Sequence, residues 1–476
     1  MEQHRPIFYD EQQRRWRRLR IILESLAVVL ALVLVVFAIS VLRRVRLPEP
    51  LQYAGRSGLH SVPAKPVPVK ALVHRAGRKR RVAELGGEGQ PPAASYDPLR
   101  AAFYVAYDPA SLASLQQHYK DIDVLIPERL HSVSVDGRLD EEKDPKLAEW
   151  MSSNNIEIPT MPLLNNSDGS NFVGDTTATL LARPAARQKL VQELVVYLLQ
   201  NDNPGMVLDF ENIPARGQTN LDFFIAELGA GLRGAGLKLM VALPAADWSY
   251  DYADIAKSCD AIILMDYDQH WTTSPPGPIA AQDWFVQSLQ GILKIVPPQK
   301  IVVGVANYAY DWTVPARNKP APPAVSESFQ EAVVTASESD AQVQFDPATL
   351  NPQYSYYDEH NQVHQAWMLD GVTAYNELRA AERLGVQGTA LYRLGEEDPS
   401  LWSIWDVTRP DDAARGRLGE MPPGFDLILE GAGDIWSIMS TPQEGQRKFT
   451  FDGGSNTIVL STTTPKFVPS IATRTV

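Results

Sequence analysis

The chain has 476 residues, 44% hydrophobic and 21% charged, the balance of a globular protein long enough for one large domain with appendages. Its formal net charge is −13 and its isoelectric point is near 5.2, which argues against a general nucleic-acid-binding surface. The single cysteine, Cys259, excludes an intrachain disulfide, and the eight scattered histidines form no metal-ligand spacing, so neither a metal nor a cofactor is expected.

Residues 1–20 read as a basic cytoplasmic tail carrying Arg14, Arg15, Arg17, Arg18 and Arg20. Residues 21–42 are almost wholly apolar, long enough to span a bilayer, and are followed by Arg43, Arg44 and Arg46. The larger positive count lies on the N-terminal side. It predicts a single-pass anchor in the cytoplasmic (inner) membrane with the N-terminus inside and the body outside. No small-residue cleavage site follows the apolar run, so it reads as an uncleaved anchor. Residues 43–95 are a Pro-rich linker, with Pro63, Pro66 and Pro68 spaced for extended chain. Its basic run Arg78-Lys79-Arg80-Arg81 reads as solvated linker, with contact to anionic lipid or wall polymer as the alternative.

A globular body is predicted over 96–406, where apolar runs alternate with helical patterns. Strands are predicted at Ala101–Tyr107, Val124–Ile126, Glu157–Leu163, Met206–Phe210, Lys238–Leu243, Ala261–Asp266, Ile301–Val305 and Gly388–Tyr392. Arg187–Leu199 and Leu221–Ala235 carry apolar residues at helical spacing. Eight strands separated by helices predict an α/β (β/α)8 barrel of the TIM type. A doubly wound open sheet is the alternative, but no Gly-rich phosphate loop follows any strand. Residues 313–365 interrupt the alternation as a small α+β insertion. Residues 407–476 read as a β-rich appendage, with strands at Phe425–Leu429, Ile435–Ser440, Arg447–Phe451 and Thr457–Leu460.

The segment Gly205–Pro214 carries the chemistry. Its apolar run ends in Asp209 and Glu211, and in a strand the i, i+2 spacing puts Val207, Asp209 and Glu211 on one face. Two neighbouring carboxylates in different surroundings can divide into an acid and a charge stabiliser, as glycosidic cleavage requires. Solvated acids at a strand end are the alternative for that pattern alone.

This segment resembles the Asp-Gly-x-Asp-x-Asp-x-Glu signature of glycoside hydrolase family 18, the chitinase-like barrels. Glu211, Asp209 and Gly205 match; Pro204 and Val207 stand where the family has its first and middle Asp. Met265-Asp266-Tyr267-Asp268 resembles the family's Met-x-Tyr-Asp element. Gly304 to Trp312 resembles Gly-x-Pro-x-Tyr-Gly, with Ala306 and Ala309 in place of Pro and Gly. Tyr392 takes the place of the family's common Trp at the floor of the sugar subsite. The resemblance implies substrate-assisted retaining hydrolysis of a polymer containing N-acetylglucosamine, with Glu211, Asp209, Tyr267 and Asp268 as catalytic residues. Glu211 is the acid and base, Asp209 and Tyr267 hold the acetamido group, and Asp268 positions that group or the acid. It further implies substrate contacts from Tyr104, Met265, Asn307, Tyr308, Trp367 and Tyr392. Tyr107, Asn165 and Asn166 are read either as groove lining or, for the asparagines, as turn residues. Trp402 is read as packing.

Leu391 to Trp402 resembles, within the family, the N-terminal barrel module of bacterial membrane proteins in which polysaccharide deacetylase and glycosyltransferase domains follow. Such domains are therefore possible partners. A glycan-binding module without catalysis, serving such a machine, is the alternative function, and an anchored protein scaffold is a third.

Overall fold

The computed structural model describes residues 98–405 apart from 316–319, 340, 342 and 347, together with strands between 427 and 473. The expected basic tail, the apolar segment 21–42 and the linker lie outside the described residues. Among the described residues no helix is long and apolar enough to cross a membrane.

Eight parallel strands close into a barrel. They are β1 (Leu99–Tyr104), β2 (Val124–His131), β4 (Leu163–Asn165), β5 (Gly205–Asp209), β6 (Lys238–Pro244), β7 (Ala261–Met265), β8 (Ile301–Ala306) and β14 (Gly388–Tyr392). Each pairs with the next in parallel, and β1 closes the ring by pairing with β2 (Ala101↔Val124) and β14 (Leu99↔Gly388). The short strand β3 (Asp140–Glu141) pairs antiparallel with the end of β2.

Alternation sorts the side chains. Val207 packs inside the barrel with Phe103, Ile126, Leu163, Met240 and Ile263. Met206, Leu208 and Phe210 face outward onto the helices Pro184–Gln200 and Ala215–Gly234, meeting Leu194, Leu221 and Phe224. These strands read as continuous apolar runs because both faces are covered.

Three expectations shift. The strand expected at Glu157–Leu163 begins only at Leu163. Pro159 and Pro162 have no N–H to give the ladder, so Thr160 makes only an isolated bridge to Leu125. The second strand continues past Pro127 to His131 rather than stopping at Ile126. The insertion starts at Tyr308 rather than at 313. A five-stranded antiparallel sheet, in the order β10-β9-β13-β12-β11, joins β9 (Tyr308–Val314), β10 (Val325–Ser328), β11 (Gln344–Phe345), β12 (Pro352–Tyr357) and β13 (Val363–Met368). The helix Phe329–Glu338 packs on one of its faces through Phe329 and Ala332, against Ala309 and Met368. Within 407–476, strands β15 (Leu427–Gly431), β16 (Asp434–Met439) and β19 (Ser470–Thr473) form one antiparallel sheet. Strands β17 (Arg447–Asp452) and β18 (Thr457–Thr462) pair separately.

Candidate active site

The C-terminal ends of the barrel strands and the insertion sheet line a cleft of about 1330 Å3, larger than the roughly 300–1,000 Å3 of a typical small-ligand pocket. Asp209, Glu211, Met265, Tyr267, Asp268, Tyr308 and Tyr392 all border it.

Glu211 is fixed through its backbone. Its N–H donates to Asn166 Oδ1 at 2.9 Å, and Asn166 Nδ2 donates to its carbonyl at 2.9 Å and to Thr177 Oγ1 at 3.1 Å. Asn166 is fully buried, so this clamp excludes water. The chain turns away immediately after the acid: Asn212 has φ 56°, a left-handed conformation that Asn tolerates better than most residues. Its carbonyl then lies against Gly174, where an added Cβ would fall 1.8 Å from Asn212 O. Only glycine fits there.

The Met265–Asp268 element divides by direction. Asp266 points away from the cleft and is bonded to Ser288 on the helix Gln282–Leu293. Tyr267 turns inward, its ring 5.5 Å from and nearly parallel to that of Tyr392. Gly304 makes room for it, since a Cβ at that position would lie 2.8 Å from the Tyr267 ring. Asp268 accepts hydrogen bonds from the Tyr308 hydroxyl and, at 3.0 Å, from the Tyr310 hydroxyl. Both bonds go to Oδ1, and the residue is exposed toward the cleft.

Burial shapes the charges. The Glu211 carboxyl is pushed up to about 7, first by burial and then by the nearby charges of Asp268 and Glu128. Asp209 is raised well above the carboxylate range by burial, then by Glu211 and Glu128. Burial also raises Asp268, against the opposing effect of its two tyrosine hydrogen bonds. Among the residues that border the cleft, two have a buried polar atom with no hydrogen-bond partner: Asp209, at Oδ1, and Tyr267, at its hydroxyl.

Three expected contact residues lie away from the cleft lining. Tyr104 faces outward from β1, packs with Leu115 and Leu147, and donates to Asp144, the cap of the helix Pro145–Ser153. Its parity explains this: Leu99, Ala101 and Phe103 take the interior. Asn307 is fully buried, donating to Asp370 O at 2.9 Å and accepting from the Asp398 N–H at 2.6 Å, so it ties two loops together. Trp367 lies in the insertion sheet, paired with Tyr310, behind the tyrosines that face the cleft. Trp402 stacks on His118 at 4.2 Å as packing.

Sequence reasoning missed Glu128, His131 and Arg393, all on the cleft. The Arg393 guanidinium donates to Asp108 and Glu396, each at 2.7 Å, and lies 5.5 Å from the Tyr107 ring centre. The one signal for Glu128 was parity: it follows the apolar, inward-facing Val124 and Ile126 by steps of two.

A parallel eight-stranded barrel that gathers buried carboxyls and tyrosines at its strand C-termini defines a barrel hydrolase of the glycosidase class. The profile of glycosyl hydrolases family 18 matches residues 145–397, more than half of the chain, and the chain belongs to that family. It is 26% identical over 257 residues to the uncharacterized glycosylase YvbX of Bacillus subtilis, covering 52% of this chain and 74% of that one. It is 22% identical over 277 residues to the cortical fragment-lytic enzyme of Bacillus anthracis, covering 56% of this chain and 64% of that one. Among solved structures, a chitinase from Chromobacterium violaceum has the same fold, with a TM-score of 0.58 at 23% identity, over 68% of this chain and 100% of that chain.

Proposed function

We propose that this glycosidase cleaves β-linked N-acetylglucosamine polymers by substrate-assisted retaining hydrolysis. The observation that carries this reading is the pair of unpartnered buried atoms, Asp209 Oδ1 and the Tyr267 hydroxyl. One is an acceptor and the other a donor, the complement of an amide N–H and C=O. A 2-acetamido group presents both, and leaving such atoms unpaired is costly.

In the proposed reaction the Glu211 carboxyl gives its proton to the glycosidic oxygen. The acetamido oxygen attacks the anomeric carbon and the leaving sugar departs. Asp209 accepts from the acetamido N–H and offsets the positive charge of the oxazolinium ring, while Tyr267 donates to the acetamido oxygen. The Glu211 carboxylate then takes a proton from water, which opens the ring on the original face. Asp268, held by Tyr308 and Tyr310, sits beside Glu211 and Tyr267. Met265 and Tyr392 form the floor. The substrate is a chitin-like polymer or peptidoglycan; the name of the chitinase fold neighbour supports the first.

We also propose that residues 21–42 anchor the enzyme in the cytoplasmic membrane with the barrel outside, supported by the apolar run and its arginine flanks. The likeness of Leu391 to Trp402 to deacetylase and glycosyltransferase fusions supports work beside such domains on one polymer.

Incubation with β-1,4-linked N-acetylglucosamine oligomers and with peptidoglycan, read by mass spectrometry beside Glu211→Gln, tests the reading. Products from the unmodified protein alone are expected. Equal products from both proteins would remove Glu211 from the reaction. No products, with oligomers still bound, would return the glycan-binding reading.

A further inference from the structure

We propose that Glu128 replaces, from the second barrel strand, the carboxylate that the family signature carries at the Val207 position, and that this like charge keeps a proton on the Asp209–Glu211 pair. The inference rests on the hydrolytic reading above and assigns a positioning residue within it.

Register places Glu128 where such a substitute is needed. Glu128 and Val207 are both level with Leu163, one on each side of β4. Two strand spacings, roughly 9.6 Å, separate their Cα atoms across the barrel wall. Val207 is buried among Leu163 and Met240 and offers no charge. Val124 and Ile126 face the interior, and Glu128 continues that face one layer higher, onto the cleft beside Asp209 and Glu211. Its side chain is one methylene longer than that of Asp.

A local irregularity follows. The ladder between β2 and β4 passes from Glu128↔Leu163 directly to Leu130↔Leu164, leaving Arg129 as an extra residue. Such a bulge reverses the alternation beyond it. Leu130, which simple alternation would turn inward, packs outward with Leu164 and Leu190, and His131 borders the cleft. Glu128 and His131 therefore both reach the site, and Arg129 does not border it. Three of the signature's four carboxyl positions are thus answered, by Glu128, Asp209 and Glu211, one of them from two strands along the wall, while Pro204 leaves the first without one.

The groups that face Glu128 come from several elements. Arg393, after β14, is the cation that lowers it, and Arg393 is itself bonded to Asp108 and Glu396. Glu142, after β3, raises it, and His131 lies near Glu142 at 3.8 Å. Asp209 at the end of β5, Glu211 just after it and the phenols of Tyr107, Tyr267 and Tyr392 also sense its charge. Burial pushes Glu128 up to about 7, and its charge in turn raises both Asp209 and Glu211.

The test is the pH dependence of kcat/KM on N-acetylglucosamine oligomers for the full chain, Glu128→Gln, and Glu128→Gln combined with Val207→Asp. Loss of the like charge moves the basic limb of Glu128→Gln to lower pH. A displacement of one pH unit reads as about tenfold less activity on the basic side. Val207→Asp restores the carboxylate and moves the limb back. An unmoved limb, or a fall in kcat that leaves the limb in place and that Val207→Asp does not repair, overturns the proposal. A second readout does not need turnover: difference infrared titration of the protonated carboxyl band, with Glu211 identified by its loss in Glu211→Gln. A lower Glu211 midpoint in Glu128→Gln supports the inference and an unchanged one overturns it, even if the oligomers are not cleaved and the hydrolytic reading fails. If Glu128→Gln does not fold, Glu128→Asp, which withdraws the charge by one methylene, gives a smaller displacement in the same direction, and no displacement overturns the proposal.

Discussion

Replacing Asn166 by alanine removes the clamp on the acid without touching the acid itself. Three hydrogen bonds go with it, two to the Glu211 backbone and one to Thr177. At about 0.5–1.5 kcal/mol each, their loss lowers the unfolding free energy by roughly 2–4 kcal/mol. The Glu211 peptide groups that Asn166 pairs are left beside a small cavity, and the strand end at Asp209 loses its tie to the loop after β4. A displacement of the acid by about 1 Å costs on the order of 100-fold in rate. Because Asn166 does not itself face the sugar, the loss should appear in kcat with KM nearly unchanged. Steady-state kinetics on N-acetylglucosamine oligomers and urea denaturation, run on the same preparation, measure both effects. Stability lost in the expected range with kcat retained would refute the claim that this clamp positions the acid.

Three further outcomes follow from the same geometry. Glu211 must enter the reaction protonated, and its carboxyl is pushed up to about 7, so kcat/KM should fall as pH rises through about 7; a profile flat to pH 9 would contradict this. Glu128 and Glu211 both sit near 7 in the folded chain against an ordinary value near 4.3, so between those values the native state holds more protons than the unfolded one. Their contribution to stability is therefore full below pH 4 and lost as pH rises through about 7: melting temperature should be higher at pH 5 than at pH 8, and Glu211→Gln should reduce that difference. Gly174→Ala puts a methyl 1.8 Å from Asn212 O, which requires the backbone after the acid to move. A loss of about 1–3 kcal/mol in denaturation together with reduced kcat is expected, and a variant indistinguishable from the parent would contradict the contact.

Much of the site was legible because strand parity transmits it. Gly205-Met206-Val207-Leu208-Asp209 alternates between interior and helix-facing packing, so the pattern alone pointed Val207 and Asp209 inward. Tyr267, Asp268 and Tyr308 are legible through the resemblance of Met265–Asp268 and Gly304–Trp312 to family elements that follow barrel strands. What sequence could not reveal depends on contacts between distant segments. Tyr104 is turned outward by the parity of β1, and Asn307 is consumed by Asp370 and the Asp398 N–H, 63 and 91 residues away. Glu128 lies beyond Pro127, which reads as a strand end, and the bulge at Arg129 has no signature in the local sequence. Asn166 fitted a turn as well as a groove; only the fold brings it to Glu211, 45 residues on.

The most direct test of the account is the configuration of the first product. Proton NMR of an N-acetylglucosamine oligomer mixed with the protein, recorded before mutarotation equilibrates the anomers, reads the new reducing end. Attack by the substrate's own acetamido oxygen followed by water predicts the β-anomer as the initial product, with none formed by Glu211→Gln. An α-anomer as the initial product would mean single displacement by water and would contradict the roles given to Asp209 and Tyr267.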